Sequence, residues 1–254
     1  MKKLILSAFC FFVVTATNAQ TVNVHFKNGQ VINYNADNVE YVDFSAKAPD
    51  PTLTAGEVVD LGLSVYWASC NLGASKPEEA GDYYAWGETS PKASYTIDNY
   101  SYYNSSTTEY IDIGGEISGT EYDAAHINLG GDWRMPTKTE MQELIDRCSW
   151  EWTQQNGING YKVTGPSGNC IFLPAAGYMT GFSGLLSYNA RLDYWTSTLS
   201  SYSTDHPYGL SGASNTINCA TKLLSNIYQG YSIRPVTTNP DDTGGQTDIH
   251  MIIW

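Results

Sequence analysis

Two pairs of charged residues have a spacing that could support metal binding or acid–base chemistry on a helix. Asp123 and His126 stand three residues apart in YDAAH, so in a helix they would share one face and could hold a metal ion. No third ligand follows at a suitable spacing, and we expect a surface pair without metal. Glu140 and Glu143 are spaced alike, but Glu140 has a capping role, and we expect both carboxylates on a solvated face.

The cysteines do not form a metal or redox motif. Cys10 lies in the apolar N-terminal run, and the four that follow it lack the C-x-x-C spacing of zinc or thiol–disulfide sites. Four cysteines allow three disulfide connectivities, among which the sequence does not choose; the alternative is a set of free, buried thiols. These four are Cys70, Cys148, Cys170 and Cys219.

The N-terminus has the organisation of a secretory signal peptide. Lys2 and Lys3 precede a short apolar run, and Thr17-Asn18-Ala19 offers a cleavage site. We therefore expect a signal peptide over 1–19, export, and display at the cell surface or outer membrane. No later stretch is long and apolar enough for a membrane span.

The charge of the exported chain excludes two classes of partner. Removing Lys2 and Lys3 from the 13 basic residues leaves 11 against 26 acidic residues. Such an acidic surface repels phosphate backbones and anionic lipids, so we expect neither a nucleic-acid partner nor simple adsorption to a membrane.

A small β module follows the signal peptide over 20–46. Val22, Val24 and Phe26 alternate with polar residues, as in a half-buried strand, and Asn28-Gly29 suits a two-residue hairpin turn. VINY and VEYVDF would add two strands. Residues 47–57 are rich in Pro, Ala and polar residues and are predicted to be a linker.

One helix is predicted strongly, over 137–148. Thr137 and Glu140 form a capping box, and Pro136 prevents upstream extension. The apolar residues after it share one face: Met141, Leu144, Ile145 and Cys148. SWEWTQQNGING is interpreted as turns that leave the helix. Residues 160–164 and 169–173 are predicted as a hairpin about Gly165–Gly168.

The other predicted elements are short strands and long loops. A polar, Tyr-rich stretch over 93–131 has little periodicity, and a loop of that length is usually functional or poorly ordered. With one or two helices among many short strands, we expect an α+β fold.

Six motifs in order resemble a known family. They are VDLGLSVYWASCNLGA, GDYYAWGETSPK, LGGDWRMPTKTEMQELIDRCSWEWT, NGYKVTGPSGNCIFLPAAGY, YWTST and YSIRPV, which together span about 58–236. This series resembles the Fibrobacter succinogenes major paralogous domain, within the C-type-lectin-like and formylglycine-generating-enzyme-like superfamily. The stretch from YWTST to YSIRPV is also similar to the variable region of retroelement-diversified lectin-like proteins.

The resemblance implies a C-type-lectin-like domain over 58–236 with small antiparallel sheets, one or two flanking helices and long loops, followed by a tail over 237–254. It implies core positions for Trp133 and Trp195, and a closing strand at YSIRPV in which Arg234 pairs inside the domain. The loop motifs of lectin calcium sites do not occur, and we expect no metal and no cofactor.

We expect a binding protein rather than an enzyme, with a glycan or a protein as its ligand. Tyr side chains offer contact area at low entropic cost, and Ser and Asn add adaptable hydrogen bonds. The alternative is that this polar stretch forms a solvated edge. The predicted ligand-binding residues are Tyr202, Asp205, His206, Tyr208, Asn215, Asn218, Lys222, Asn226 and Tyr228.

Two further functions remain as alternatives. The apolar end IHMIIW suits strand addition to a neighbour in a fimbria-associated or adhesion subunit. The formylglycine-generating likeness suggests an oxidase, but that chemistry needs a low-pKa or metal-bound thiolate pair, which no cysteine spacing here indicates.

Overall fold

The computed structural model describes the backbone of residues 21–25, 31–35 and 216–223, and all atoms of residues 57–202, 205–214 and 226–241. The described residues fall into two compact units, one with the two N-terminal strands and one with residues 57–241. The predicted signal peptide, the Asn28-Gly29 turn, the third strand at 39–44 and the segment 249–254 lie outside them. So do residues 47–56 of the predicted linker and 242–248 of the tail.

The N-terminal unit contains a β-hairpin, as predicted. Strand β1 (Thr21–His25) pairs antiparallel with β2 (Val31–Asn35), and the register sets Val22 opposite Tyr34 and Val24 opposite Ile32.

The larger unit contains two α-helices and thirteen strands within the described residues. Its strands before the helices are β3 (Val58–Val59), β4 (Tyr66–Ala68), β5 (Tyr103–Asn104) and β6 (Glu109–Tyr110). Helices α1 (Ala124–Leu129) and α2 (Lys138–Arg147) follow. The later strands are β7 (Ser149–Gln155), β8 (Ile158–Thr164), β9 (Cys170–Pro174), β10 (Tyr178–Thr180), β11 (Gly184–Leu186), β12 (Arg191–Leu199), β13 (Pro207–Ala213), β14 (Thr216–Leu223) and β15 (Val236–Thr237).

All these strands pair antiparallel in small sheets. Three sheets have three strands, in the orders β15-β4-β3, β7-β8-β9 and β12-β13-β14, and β5-β6 and β10-β11 are hairpins. Two helices among small antiparallel sheets agree with the predicted α+β class. No helix in the described part of the chain is long and apolar enough to cross a membrane.

The capping box at the start of α2 is confirmed. Thr137 Oγ1 accepts from the Glu140 amide at 3.2 Å, and Glu140 Oε2 accepts from the Thr137 amide at 2.8 Å. Met141 and Leu144 are fully buried, and Ile145 and Cys148 pack against the same core. The predicted apolar face of the helix is therefore the buried one.

The interpretation of SWEWTQQNGING as turns is wrong. Residues 149–155 form β7, which continues through Asn156-Gly157 into β8, with Gln155 opposite Ile158. Asn156 and Gly157 have φ of 48° and 83°, which is the left-handed geometry of a two-residue hairpin turn. The predicted hairpin of β8 and β9 is confirmed around a turn that closes from Gly168 N to Gly165 O at 3.0 Å.

Strand β12 divides the interior into two cores because its side chains alternate. Leu192 and Tyr194 face a core with Trp67, Met141 and Leu144, whereas Trp195 faces a second core that includes Trp86 and Tyr231. Trp133 and Trp195 are both fully buried, as the resemblance implies.

The segment 231–237 closes the larger unit. Tyr231 bridges Tyr84, Ser232 bridges Tyr194, and Val236 pairs with both Arg134 and Trp67. Arg234 lies inside the domain, as the resemblance implies.

Candidate ligand-binding surface

Two C-terminal loops meet at the end of β12. Ser200 and His206 lie side by side after β12, since the Ser200 amide donates to His206 O at 3.3 Å. The Ile227 amide donates to Asp205 O at 3.1 Å, which joins this loop to residues 226–230. Trp86 N donates to Ile227 O at 3.0 Å and fixes the second loop on a core tryptophan.

The hairpin of β5 and β6 approaches the same place. Tyr110 and Tyr228 pack against the same core, and burial, together with the Asp205 carboxylate and the Tyr228 hydroxyl, raises the pKa of Tyr110 to about 12. Asn104 Oδ1 accepts from the Ser106 amide at 3.0 Å, which shapes the turn of the hairpin. A Tyr-rich hairpin and both C-terminal loops therefore border one surface.

A continuous chain of tyrosine rings runs through this hairpin. Ring centroids are 5.3 Å apart for Tyr103 and Tyr110, 6.2 Å for Tyr110 and Tyr100, and 5.7 Å for Tyr100 and Tyr102. Tyr102 then meets Tyr122 edge to face at 5.5 Å. Tyr100 is buried and the other four are half-buried, so we name Tyr102, Tyr103, Tyr110 and Tyr122 the tyrosine face.

Carboxylates border this face. The Glu121 carboxylate shares a hydrogen bond with the Tyr122 side chain and raises the pKa of Tyr122. Glu109 and Asp112 are exposed on and beside β6. No lysine or arginine in the described part of the chain pairs with Glu109, Asp112 or Glu121. The surface is therefore aromatic and negatively charged.

Several of the predicted ligand-binding residues lie at this junction. Tyr202 is 93% exposed at the tip of its loop. His206 Nδ1 and Asp205 Oδ1 are 2.6 Å apart, and both side chains are about one-third exposed. Asn226 has a left-handed φ of 58°, and Tyr228 is half-buried against the core.

One further predicted residue contacts α2, and the side chains of the other three lie outside the described part of the structure. The ring of Tyr208 is covered by Lys138 of α2, whose Nζ lies 3.7 Å from the ring centroid. Asn218 and Lys222 belong to β14, where only the backbone is described, and Asn215 lies outside the described residues.

The expectation that Asp123 and His126 form a surface pair is wrong. Asp123 is fully buried at the start of α1 and accepts from four amides: Gly119 and Met135 at 2.8 Å, Ala125 at 2.9 Å and His126 at 3.1 Å. His126 Nδ1 instead lies 3.2 Å from Trp133 O. The carboxylate is used in capping the helix and in holding the adjoining loop.

The expectation of a solvated face for Glu140 and Glu143 is also wrong. Arg134 donates to Glu140 through Nη1 at 2.8 Å and Nη2 at 2.5 Å, and Glu140 is 13% exposed. Glu143 accepts from the Ser64 amide at 3.1 Å and from Arg147 at 2.9 Å. Both carboxylates stabilise the helix and its neighbours rather than face an open cleft.

No disulfide joins the three described cysteines to one another. Cys70 is buried and Cys148 half-buried, and burial raises the pKa of both, that of Cys148 to about 11. Cys170 is exposed. Raised pKa values disfavour the thiolate, which is the reactive form. No group of three His, Cys, Asp or Glu suited to a metal ion occurs among the described residues.

A groove of about 360 Å³ lies elsewhere, on the outer face of β7, β8 and β9. Val59, Pro77 and Phe172 supply apolar lining, and Lys162 and Cys170 stand at its side. Nothing else in the described structure points to a ligand there.

Sequence reasoning missed the residues of the tyrosine face. The sequence predicts a functional or poorly ordered loop over 93–131 and selects no residue in it. The signal available was the local turn chemistry of Asn104 between two tyrosine-bearing segments.

No protein-family model, curated protein or solved structure matches the chain.

Proposed function

We propose that this chain is a secreted, non-catalytic binding protein of the C-type-lectin-like class that holds a glycan or protein ligand at its Tyr-rich loops. The observation that carries the proposal is the junction of the β5–β6 hairpin with loops 200–206 and 226–230 around Tyr110. Three separate segments then present tyrosines and adaptable polar groups on one rigid base, an arrangement that suits recognition.

The lectin-like assignment has support in the described core. The helix after WRMPT, the two buried tryptophans and the closing segment at 231–236 all stand where the resemblance implies. Loops carried on such a base are the usual position of binding residues.

The chemistry of the described cysteines argues against an oxidase. That reaction needs a thiolate pair with lowered pKa values, whereas the pKa values of Cys70 and Cys148 are raised by burial.

The test is an array of glycans and bacterial or host protein ectodomains probed with the full chain and a double variant, Tyr202→Ala with His206→Ala. We expect the variant to lose binding by about tenfold or more, because two exposed contacts disappear from the junction. Its Tm should stay within about 2 °C, since neither side chain is buried.

The matched control is Phe182→Ala, which removes a fully exposed aromatic from the β10–β11 hairpin. It should bind as the wild type does. The proposal is wrong if the control loses binding equally, if the double variant keeps full binding, or if no array component is retained.

A further inference from the structure

We propose that the occupant of the tyrosine face is a cationic segment of a protein partner, recognised through its Lys or Arg side chains. This inference rests on the proposed binding function and specifies the ligand. Three observations support it: the exposure of the rings, the negative charges around them, and the contacts that lysines and arginines of the same domain make with other tyrosine rings.

The rings offer the surface that a cation prefers. Aromatic faces carry negative electrostatic potential, and ammonium or guanidinium groups bind over them. Tyr102, Tyr103, Tyr110 and Tyr122 are half-buried, so part of each ring reaches solvent while the contacts between rings hold them in place. A partner would not need to order these side chains on binding.

The surrounding charge has a single sign. Residues 93–133 contain seven acidic residues and no Lys or Arg. Exposed Glu109, Asp112 and Glu121 stand beside the rings without a basic partner in the described structure, and Asp205 lies near Tyr110. A surface of this sign attracts cationic segments and repels anionic ones.

Elsewhere in the domain, lysine and arginine side chains of the same chain lie over tyrosine rings. Lys138 Nζ lies 3.7 Å from the ring centroid of Tyr208, and Lys92 Nζ lies 5.5 Å from that of Tyr95. Arg191 lies 5.7 Å from the ring centroid of Tyr178. None of the described lysines or arginines covers a ring of the tyrosine face. The rings beside exposed Glu109, Asp112 and Glu121 are thus left for an external cation.

The experiment measures binding of a peptide of repeated Arg-Gly-Ser triplets to the full chain. A peptide of Glu-Gly-Ser triplets and a neutral glucan oligosaccharide serve as comparison probes. We expect the arginine peptide alone to bind, and its Kd to rise about tenfold between about 50 mM and about 300 mM NaCl.

Two double variants that lose the same number of charges distinguish binding at the tyrosine face from attraction to the net negative charge of the chain. Glu109→Gln with Asp112→Asn changes the face, whereas Asp146→Asn with Glu151→Gln changes α2 and β7. The first pair, and Tyr103→Ala alone, should each raise the Kd by about fivefold to tenfold, and the second pair by less than about twofold. Circular dichroism melts establish that all three variants are folded.

Three outcomes would overturn the inference. Equal weakening by the two charge pairs would mean that the peptide responds only to net charge. Binding of the neutral oligosaccharide, lost in Tyr103→Ala while the peptide fails to bind, would keep the proposed function and replace the cationic partner by a glycan. Absence of binding by any probe, together with an empty array, would reject both proposals.

Discussion

Arg234 and Asp123 are charged residues that are fully buried and bonded mainly to the backbone. Arg234 donates to Asn71 Oδ1 at 2.9 Å and to the carbonyls of Ala68, Ser69 and Phe172 at 2.7–3.0 Å. Burial lowers its pKa, but its described partners satisfy the guanidinium with neutral oxygens. The Asp123 carboxylate, conversely, accepts hydrogen bonds from four backbone amides. Each therefore fixes the path of loops that have little regular structure of their own.

The ion pair of Arg134 with Glu140 gives a test at this scale. Burial pushes the pKa of Glu140 upward, but hydrogen bonds from Arg134 and Thr137 outweigh burial, and the pKa lies below its ordinary value. A carboxyl with a lowered folded pKa stabilises the fold above its unfolded pKa, and this contribution is lost as pH falls through the folded pKa.

Glu140→Gln should therefore lower the free energy of unfolding by about 1–3 kcal/mol at pH 7, because Arg134 loses its charged partner. The difference from wild type should disappear as the pH falls below the folded pKa of Glu140. Urea unfolding of both proteins at a series of pH values measures the stability difference at pH 7 and its change with pH. The exposed Glu109→Gln should change stability at pH 7 by less than about 0.5 kcal/mol. A deficit that is constant with pH would contradict the assignment.

At the scale of elements, turns decide where the strands of this domain begin and end. The Asn156-Gly157 turn joins β7 to β8, and its left-handed φ values need residues that tolerate them. Sequence patterns predicted α2 and the β8–β9 hairpin because their signals are local: a capping box, a four-residue turn and a heptad-like apolar face. Strand β7 was not predicted because its apolar alternation ends at Trp152, so Asn156-Gly157 marks a turn without an apolar pattern leading up to it.

Substitution of two glycines that have open space around them distinguishes the cost of backbone strain from the cost of steric crowding. Gly157 has φ of 83° and Gly115 an ordinary φ, and an added Cβ would meet no atom within 4 Å at either. Gly157→Ala should destabilise by about 1–2 kcal/mol through strain alone. Gly115→Ala should be neutral or stabilising by up to about 1 kcal/mol. Chemical denaturation of both variants measures this difference, and equal losses would refute the role given to the turn.

At the scale of the whole molecule, the acidic charge and the α+β class could be predicted from composition and pattern alone. Three features could not be predicted in this way: the burial of Asp123, the contact of Lys138 with the Tyr208 ring, and the approach of the β5–β6 hairpin to the C-terminal loops. Each depends on segments that are far apart in the chain, and no local pattern encodes such a meeting. The residues predicted from sequence therefore include the C-terminal loops of the candidate surface but not the β5–β6 hairpin.

The accessibility of the thiols reports on the integrity of the whole domain. Among the three described thiols, iodoacetamide at about pH 8 should modify Cys170 first and Cys148 slowly, because Cys170 is exposed and the raised pKa of Cys148 limits thiolate formation. Cys70 should react only in denaturant. Peptide mapping by mass spectrometry assigns each adduct, and Cys170→Ser should remove the fastest one. Modification of Cys70 in buffer as fast as Cys170 would show that the core opens locally.

The pairing of Val236 with Trp67 and Arg134 has a consequence for biosynthesis. A nascent chain that has not yet reached residue 237 lacks the strand that completes the sheet of β3 and β4 and the segment that carries Arg234. Contacts of such long sequence separation also make folding slow. The larger unit should therefore complete its fold only after residue 237 has left the ribosome.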